Sequence, residues 1–288
     1  MNSAETAFAG MKRALVDERN SAVDPSNVEV KDLITWPSTI AELDDKSRFY
    51  GMVTLSAQRG TGKTMLAISS AIEACADGWQ VFYFSAEDDA EGIAERFNNF
   101  CGSHPETARR LEASGRFHVF STGRNQTPQT LMSEIESRVD FAVDQPILVV
   151  IDSINSLVEM SSYAYLDGLT EFGLWAMLAR RFSGGNAAFL IVAETNKSGS
   201  VKGEKLPYWS DQVLAMRRSD GSDVVEIELQ KSRRTGGVGE LGKFIRIWRQ
   251  GEFISQDEVE TLRRESLQVV QGGRSLPASA EKRNAEMF

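Results

Sequence analysis

The sequence predicts an α/β protein with a mostly parallel central sheet, flanked by helices and extended by C-terminal antiparallel strands. Short, continuously apolar runs alternate with longer segments of helical spacing up to Glu194, which is typical of a parallel sheet covered on both faces. Beyond Glu194 the β-prone runs follow one another directly. A Ser219-Asp-Gly221 turn of the hairpin type joins the first two of them.

The predicted elements follow one another in this order. Parallel strands, each short and apolar, are expected at 51–56, 81–84, 117–120, 147–151 and 187–193. Helices, in which apolar residues recur at intervals of three or four, are expected at 64–76, 90–101, 127–143 and 166–182. Antiparallel strands are expected at 212–216, 224–229 and 244–248.

The composition favours one globular core. Of the 288 residues 41% are hydrophobic and 25% charged, which argues against wholesale disorder. We expect a flexible N-terminal arm at 1–27, the core at 28–255, and a C-terminal helix with a disordered tail at 256–288. No apolar run approaches the ~20 residues of a membrane span, and the first residues lack the apolar core of a secretory signal. We therefore expect a cytoplasmic protein without a membrane partner, in which Cys75 and Cys101 are free thiols.

The charge is unevenly distributed. The whole chain carries a net charge of −9. Residues 195–250 hold 11 Lys and Arg against 7 Asp and Glu, a net charge of +4, so the remainder carries −13. Because local charge decides nucleic-acid binding, the acidic total does not exclude a nucleic-acid partner.

A Walker A phosphate-binding loop, with Ala in place of the first Gly, lies between a predicted strand and a predicted helix. Its residues are Ala57, Gln58, Arg59, Gly60, Thr61, Gly62, Lys63 and Thr64. Gly60 and Gly62 let backbone N–H groups converge on phosphate oxygens. Lys63 supplies a cation to the β- and γ-phosphates, and the Thr64 hydroxyl is a ligand for Mg²⁺. The loop thus predicts ATP and Mg²⁺ as cofactors.

Two carboxylates follow neighbouring apolar strands. Asp152 ends the run 147–151 in the Walker B pattern and is expected to hold Mg²⁺ through water. Glu87 is the first carboxylate after the strand at 81–84, on the same edge of the sheet, and is placed to polarise the water that attacks the γ-phosphate. The alternative for Glu87 is a charge at the start of the next helix, a role better suited to Asp88 and Asp89.

With these residues in place, the chain resembles RecA-fold P-loop ATPases. It is most similar to the branch that contains RadA/Sms, KaiC and the hexameric replicative helicases of the DnaB and RepA types. In that branch the catalytic Glu ends the strand after the Walker A helix, as Glu87 does here, and 148–154 resembles the family Walker B. Further on, 196–203 resembles the segment after the RadA sensor strand. Lys231-Ser-Arg-Arg-Thr-Gly236 resembles both the RadA motif Lys-Asn-Arg-Phe-Gly and the Lys-x-Arg finger of KaiC and helicase rings.

The resemblance implies catalysis between subunits. Lys231 and Arg233, which point to the same side of an extended strand, would reach the γ-phosphate of the neighbouring subunit's ATP. Such a finger makes hydrolysis depend on assembly, here as a homo-oligomer in a ring, expected to be a hexamer, or in a filament. A solvated basic hairpin end is the alternative for these two residues.

The resemblance also implies that Lys197, Lys202 and Lys205 lie in a channel loop that follows the phosphates of single-stranded DNA. A solvated loop is the alternative. Tyr208 and Trp209 follow this loop, and we expect them to pack beneath it, with base stacking as the alternative.

Two positions depart from the family pattern. Glu194 stands where the family has a His or Gln sensor, and an ionised carboxylate cannot donate a hydrogen bond to the γ-phosphate. Sensing then falls to Thr195 or Asn196, or is weaker. Arg234 replaces the Phe of the RadA motif.

The expected function is an ATP-driven motor or remodelling ATPase, a helicase or translocase. It would act on single-stranded DNA in replication, recombination or repair, with proteins of those processes as further partners. The alternative is a KaiC-like regulatory ATPase that binds proteins and no nucleic acid. A monomeric P-loop kinase is less consistent with the sequence, since no Arg-rich lid is evident. The segment 197–209 distinguishes the first two.

Overall fold

The computed structural model describes residues 34–40, 43, 48–121, 133, 137, 145–157, 186–196, 206–218, 223–233, 237–238, 242–249, 252–255 and 257–261. The predicted arm at 1–27, nearly all of the predicted helix at 127–143 and the whole of that at 166–182 lie outside these residues. Residues 257–261 are helical, and the rest of the predicted tail is outside the described part. The domain boundaries therefore stay predictions.

The strands, numbered in chain order, are β1 (Thr35–Trp36), β2 (Phe49–Tyr50), β3 (Met52–Ala57), β4 (Gln80–Ser85), β5 (Phe117–Ser121), β6 (Ile147–Asp152), β7 (Ala187–Glu194), β8 (Gln212–Arg218), β9 (Val224–Ser232), β10 (Gly237–Val238), β11 (Lys243–Arg249) and β12 (Glu252–Ser255). The helices are α1 (Lys63–Ala76), α2 (Ala90–Ser103), α3 (Pro105–Ser114), α4 (Ile154–Leu157) and α5 (Leu206–Trp209).

The predicted mixed sheet is confirmed. Nine strands run in the order β12-β11-β9-β8-β3-β7-β6-β4-β5, β10 pairs with β9, and β1 and β2 form a separate ladder. In the order of the sheet, each neighbouring pair from β8 through β3, β7, β6 and β4 to β5 is parallel. The pairs β8–β9, β9–β11 and β11–β12 are antiparallel. The parallel register sets Ala57 opposite Glu194 and Ser85 opposite Asp152. The carboxyl ends of β3, β4, β6 and β7 therefore meet at one edge, where ligands bind in such sheets.

The central parallel strands are buried on both faces. All six residues of β6 are buried, and the apolar ones alternate between two apolar clusters. Leu148 and Val150 join the cluster that contains the buried face of α1, whereas Val149 and Ile151 join the cluster on the other face. This double burial explains why the parallel strands are continuously apolar in sequence. Among the described helices, none is long and apolar enough to cross a membrane.

Helix α3 was not predicted from the sequence. It buries Leu111 and packs against α1 mainly by polar contacts, among them Thr107 Oγ1 to Glu73 Oε1 at 3.1 Å and Arg110 to the Ala76 carbonyl. A helix with so little apolar surface has no visible periodicity. Its ends did carry a signal, because Pro105 occupies the first turn and Gly115 ends the helix with a φ of 60°.

Candidate functional site

The phosphate-binding loop joins β3 to α1, as the motif predicts. Gly60 and Gly62 have φ values of 79° and 98°, in the left-handed region that favours glycine, and Gly62 is the N-cap of α1. Lys63 Nζ donates to the carbonyl oxygens of Ala57 at 3.1 Å and Gln58 at 3.0 Å. The Lys63 ammonium is thus held by the loop itself, at the helix end that attracts phosphate.

The charges of the predicted site meet around Lys63, which is 8% exposed. Burial lowers the pKa of Lys63, while Glu87, Glu194 and Asp152 raise it and Arg59 lowers it. Three carboxylates and one further cation therefore act on a single ammonium group. The structure brings the Walker A, Walker B, catalytic and sensor positions together.

Asp152 ends β6 and is 2% exposed. Burial raises the pKa of Asp152 to about 6, although hydrogen bonds from the hydroxyls of Tyr83 and Thr64 oppose the shift. Tyr83 Oη donates to Oδ2 at 2.6 Å. Oδ1 is buried, and within the described part of the chain no donor forms a hydrogen bond with it. An unused carboxylate oxygen and the hydroxyl of Thr64 are hard oxygen donors, so these residues fit Mg²⁺.

Sequence reasoning did not identify Tyr83, which is completely buried in β4 and orients the Asp152 carboxylate. The signal was available. A tyrosine inside a continuously buried strand needs a partner for its hydroxyl, and the end of the adjacent strand β6 offers one.

Glu87 is held by two serines that follow Asp152. Ser153 Oγ and Ser156 Oγ both donate to Glu87 Oε1, at 2.6 and 2.7 Å. Burial alone would raise the pKa of Glu87, but these hydrogen bonds and the Lys63 charge outweigh it, so the pKa lies below its usual range. Glu87 is therefore an ionised base at neutral pH, and both serine bonds go to one of its two oxygens. The serines were missed because their role depends on side-chain direction.

The two acidic residues after Glu87 serve α2. Asp89 is the N-cap of α2 and accepts a hydrogen bond from Gly92 N–H at 2.8 Å, as expected. Asp88 pairs with Arg96 Nε at 2.9 Å. Helix α2 thus accounts for both of them.

Glu194 ends β7 beside the phosphate-binding loop. Its Oε1 lies 3.8 Å from Arg59 Nε, and its N–H donates to Asn155 Oδ1 at 2.6 Å. Thr195 N–H donates to the Ala57 carbonyl at 3.0 Å. The sensor position therefore belongs to the same cluster as the loop, although its side chain is a carboxylate.

Lys231 and Arg233 lie at the end of β9 and both reach α5. Lys231 Nζ donates to the carbonyl oxygens of Pro207 at 2.6 Å and Tyr208 at 3.3 Å. Arg233 Nη2 donates to the Tyr208 carbonyl at 2.5 Å, and its side chain is half-exposed, 3.8 Å from Asp211. The two side chains thus point the same way, as their spacing indicates.

Of the aromatic pair, only Trp209 packs as expected. Trp209 packs against the apolar cluster that contains Val149 and Ile151, whereas Tyr208 is 73% exposed. Successive helical residues point about 100° apart, and on this turn Trp209 faces the cluster while Tyr208 faces solvent. The expectation was therefore wrong for Tyr208. The three lysines of the predicted channel loop lie outside the described residues: Lys197, Lys202 and Lys205.

Known proteins share this fold. The chain matches the family model of an AAA domain over residues 24–200. No curated protein matches it significantly in sequence. A solved ATPase domain aligns with a TM-score of 0.61 and 17% identity, covering 85% of this chain and 98% of that one. A DnaB-like replicative helicase, described with its interactions with primase, gives a TM-score of 0.62 and 14% identity, with coverages of 88% and 75%.

A KaiC-like protein from the hyperthermophilic archaeon Pyrococcus horikoshii OT3 gives a TM-score of 0.59 and 16% identity, with coverages of 78% and 99%. At these identities the likeness shows a common RecA-like fold. The family match includes the phosphate-binding loop, Glu87, Asp152 and Glu194. The chain therefore belongs to the AAA domain family, and it is a P-loop ATPase with a RecA-like fold.

Proposed function

We propose that the chain is a Mg²⁺-dependent motor or remodelling ATPase that works as an oligomer on single-stranded DNA, in replication, recombination or repair. The observation that carries the ATPase part is the convergence of Lys63, Glu87 and Asp152 at one edge of the sheet, with Glu87 held in its ionised form. Residues of the positively charged segment 195–250 support the DNA partner and the assembly.

The hydrolytic step uses Glu87 as the base. Its carboxylate orients a water molecule and accepts a proton as the water oxygen bonds to the γ-phosphorus, while the bond from that phosphorus to the bridging oxygen breaks and ADP leaves. Lys63 exchanges the carbonyls of Ala57 and Gln58 for phosphate oxygens, which form stronger, charge-assisted hydrogen bonds. Thr64 and Asp152 would hold Mg²⁺, which when bound neutralises charge on the β- and γ-phosphates.

The assembly is supported by the bonding of Lys231 and Arg233. Both cations donate to neutral carbonyl oxygens of α5, and Arg233 lies 3.8 Å from the carboxylate of Asp211, beyond hydrogen-bond distance. A phosphate is a stronger acceptor than a carbonyl. A neighbouring subunit's γ-phosphate can therefore recruit them, which makes hydrolysis depend on the oligomer.

The DNA partner is supported by the charge of +4 on 195–250 and by Tyr208. This exposed aromatic residue follows the segment with Lys197, Lys202 and Lys205, and its backbone carbonyl accepts hydrogen bonds from Lys231 and Arg233. Aromatic rings and cations in combination bind single strands without reading sequence. The KaiC-like protein, 99% of which is covered, supports the alternative of a regulatory ATPase with protein partners.

The test compares ATPase rates with and without single-stranded DNA, together with the size of the protein with and without ATP. The wild type should be stimulated by DNA. Stimulation should fall strongly in a variant with Ala at the three loop lysines and, separately, in Tyr208→Ala. A matched control removes three positive charges that lie outside the segment 195–250: Arg109, Arg110 and Arg116. No stimulation of the wild type would favour the regulatory alternative, and an ATP-independent monomer would contradict the shared site.

A further inference from the structure

Glu194 is fixed beside the phosphate-binding loop by its backbone. In the pairing of β7 with β3 it stands opposite Ala57, the first residue of the loop. Thr195 N–H donates to Ala57, and Glu194 N–H donates to Asn155 Oδ1. The carboxylate itself is 17% exposed. Any rearrangement at this position is therefore a rearrangement of the Glu194 side chain.

A carboxylate here opposes a bound terminal phosphate. Glu194, Glu87 and Asp152 all act on the Lys63 ammonium, so three anions surround the cation that would bind the β- and γ-phosphates. An ionised carboxylate only accepts hydrogen bonds, and it repels a phosphate more strongly as the distance falls. A nucleoside triphosphate beside Glu194 therefore requires a cation that compensates for this residue.

Arg59 provides that cation. It belongs to the phosphate-binding loop, its Nε lies 3.8 Å from Glu194 Oε1, and its side chain is 79% exposed. Its charge also acts on both Lys63 and Glu87. An ion pair that is this long and exposed is weak. A guanidinium donates two parallel hydrogen bonds to a phosphate, which is a much stronger contact.

We propose that Arg59 and Glu194 form a sensor pair that distinguishes nucleoside triphosphates from diphosphates. Arg59 leaves Glu194 and binds the terminal phosphate, and the carboxylate of Glu194 then turns away from that phosphate. The inference rests on the proposed ATPase function and assigns its sensing step to two residues of this chain. Asn155, which accepts the Glu194 N–H, directly precedes Ser156, which donates to Glu87. The sensor pair and the catalytic carboxylate are therefore linked through α4.

The test measures equilibrium binding of a non-hydrolysable ATP analogue and of ADP, both with Mg²⁺. Arg59→Ala should weaken binding of the analogue by roughly tenfold or more, the value of one charge-assisted hydrogen bond, and leave ADP within about twofold. Glu194→Gln should strengthen analogue binding, because the repulsion is removed and an amide can donate. The double variant should recover part of the affinity that Arg59→Ala loses.

The matched control is Arg48→Ala. Arg48 pairs with Asp77 at 2.8 Å at the far end of α1, about 21 Å along the helix from the loop, and its removal should change neither affinity. An Arg59→Ala variant that keeps the wild-type ratio of analogue affinity to ADP affinity, whether both affinities fall or neither does, would overturn the sensor pair alone. A wild type that binds neither nucleotide would overturn both the pair and the proposed function.

Discussion

Replacing Asp152 by Asn should stabilise the nucleotide-free protein while abolishing ATP hydrolysis. Burial raises the pKa of Asp152 from 3.8 to about 6 on folding, against the hydrogen bond from Tyr83. The folded protein thus holds this proton more tightly than the unfolded chain, so stability is lost as the pH rises from 3.8 to about 6 and is not regained above it. The difference of about two pKa units corresponds to roughly 3 kcal/mol of unfolding free energy at neutral pH. A neutral Asn avoids this cost and can still accept the Tyr83 hydrogen bond.

Urea denaturation without nucleotide or Mg²⁺ measures the effect. The advantage of Asp152→Asn over the wild type should grow from about pH 4 to about pH 6 and then stay constant up to about pH 8. Asp77→Asn, which removes a half-exposed carboxylate at the other end of α1, controls for the loss of one negative charge. Mg²⁺ with ATP should reverse the ranking, because the ligand stabilises only a protein that binds it. The reasoning is refuted if Asp152→Asn is the less stable protein at about pH 8, or if its advantage does not depend on pH.

The other predictions concern turnover. Ser156→Ala removes a hydrogen bond that lowers the pKa of Glu87, so the acidic limb of the kcat profile should move to higher pH. An acidic limb that does not move would argue against this positioning role. In Ser156→Thr, which keeps the hydroxyl, the limb should stay at its wild-type pH. Glu87→Gln should bind ATP with nearly wild-type affinity but stop hydrolysis, and retained turnover would place the base elsewhere. Lys63→Ala should abolish nucleotide binding or turnover, and normal hydrolysis by this variant would refute the central assignment. Mixing inactive Lys63→Ala and Arg233→Ala protomers should recover activity if Arg233 acts on a neighbour, whereas strictly additive loss would contradict a shared site.

The parallel strands could be predicted because their burial leaves a mark in the sequence. A run such as β6 is apolar at nearly every position since both of its faces are covered. The same apolar runs predict the edge of the sheet at which the site lies, because the carboxyl ends of parallel strands lie at one edge. This is why Asp152 and Glu87 could be assigned to one site from their positions alone.

The contacts that hold these residues could not be predicted. Whether Tyr83 meets Asp152, or Ser156 meets Glu87, depends on strand register and side-chain rotamer, which no period in the sequence records. Tyr208 shows the same limit, since a pair of aromatics on one helical turn does not say which ring faces the core.

The contacts around the site share one property that bears on how it works. Most of its charged groups are held by neutral partners: Lys63 by carbonyls of Ala57 and Gln58, Glu87 by hydroxyls of Ser153 and Ser156, and Asp152 by the hydroxyl of Tyr83. Neutral partners fix a charged group without cancelling its charge, so a phosphate can replace them with stronger, charge-assisted hydrogen bonds. The contact between Arg59 and Glu194 joins two opposite charges, and it is long and exposed. A terminal phosphate would have to break this ion pair, whereas it would displace only neutral acceptors from Lys63. That difference is why the pair, more than any other contact around the loop, is suited to report whether a third phosphate is present.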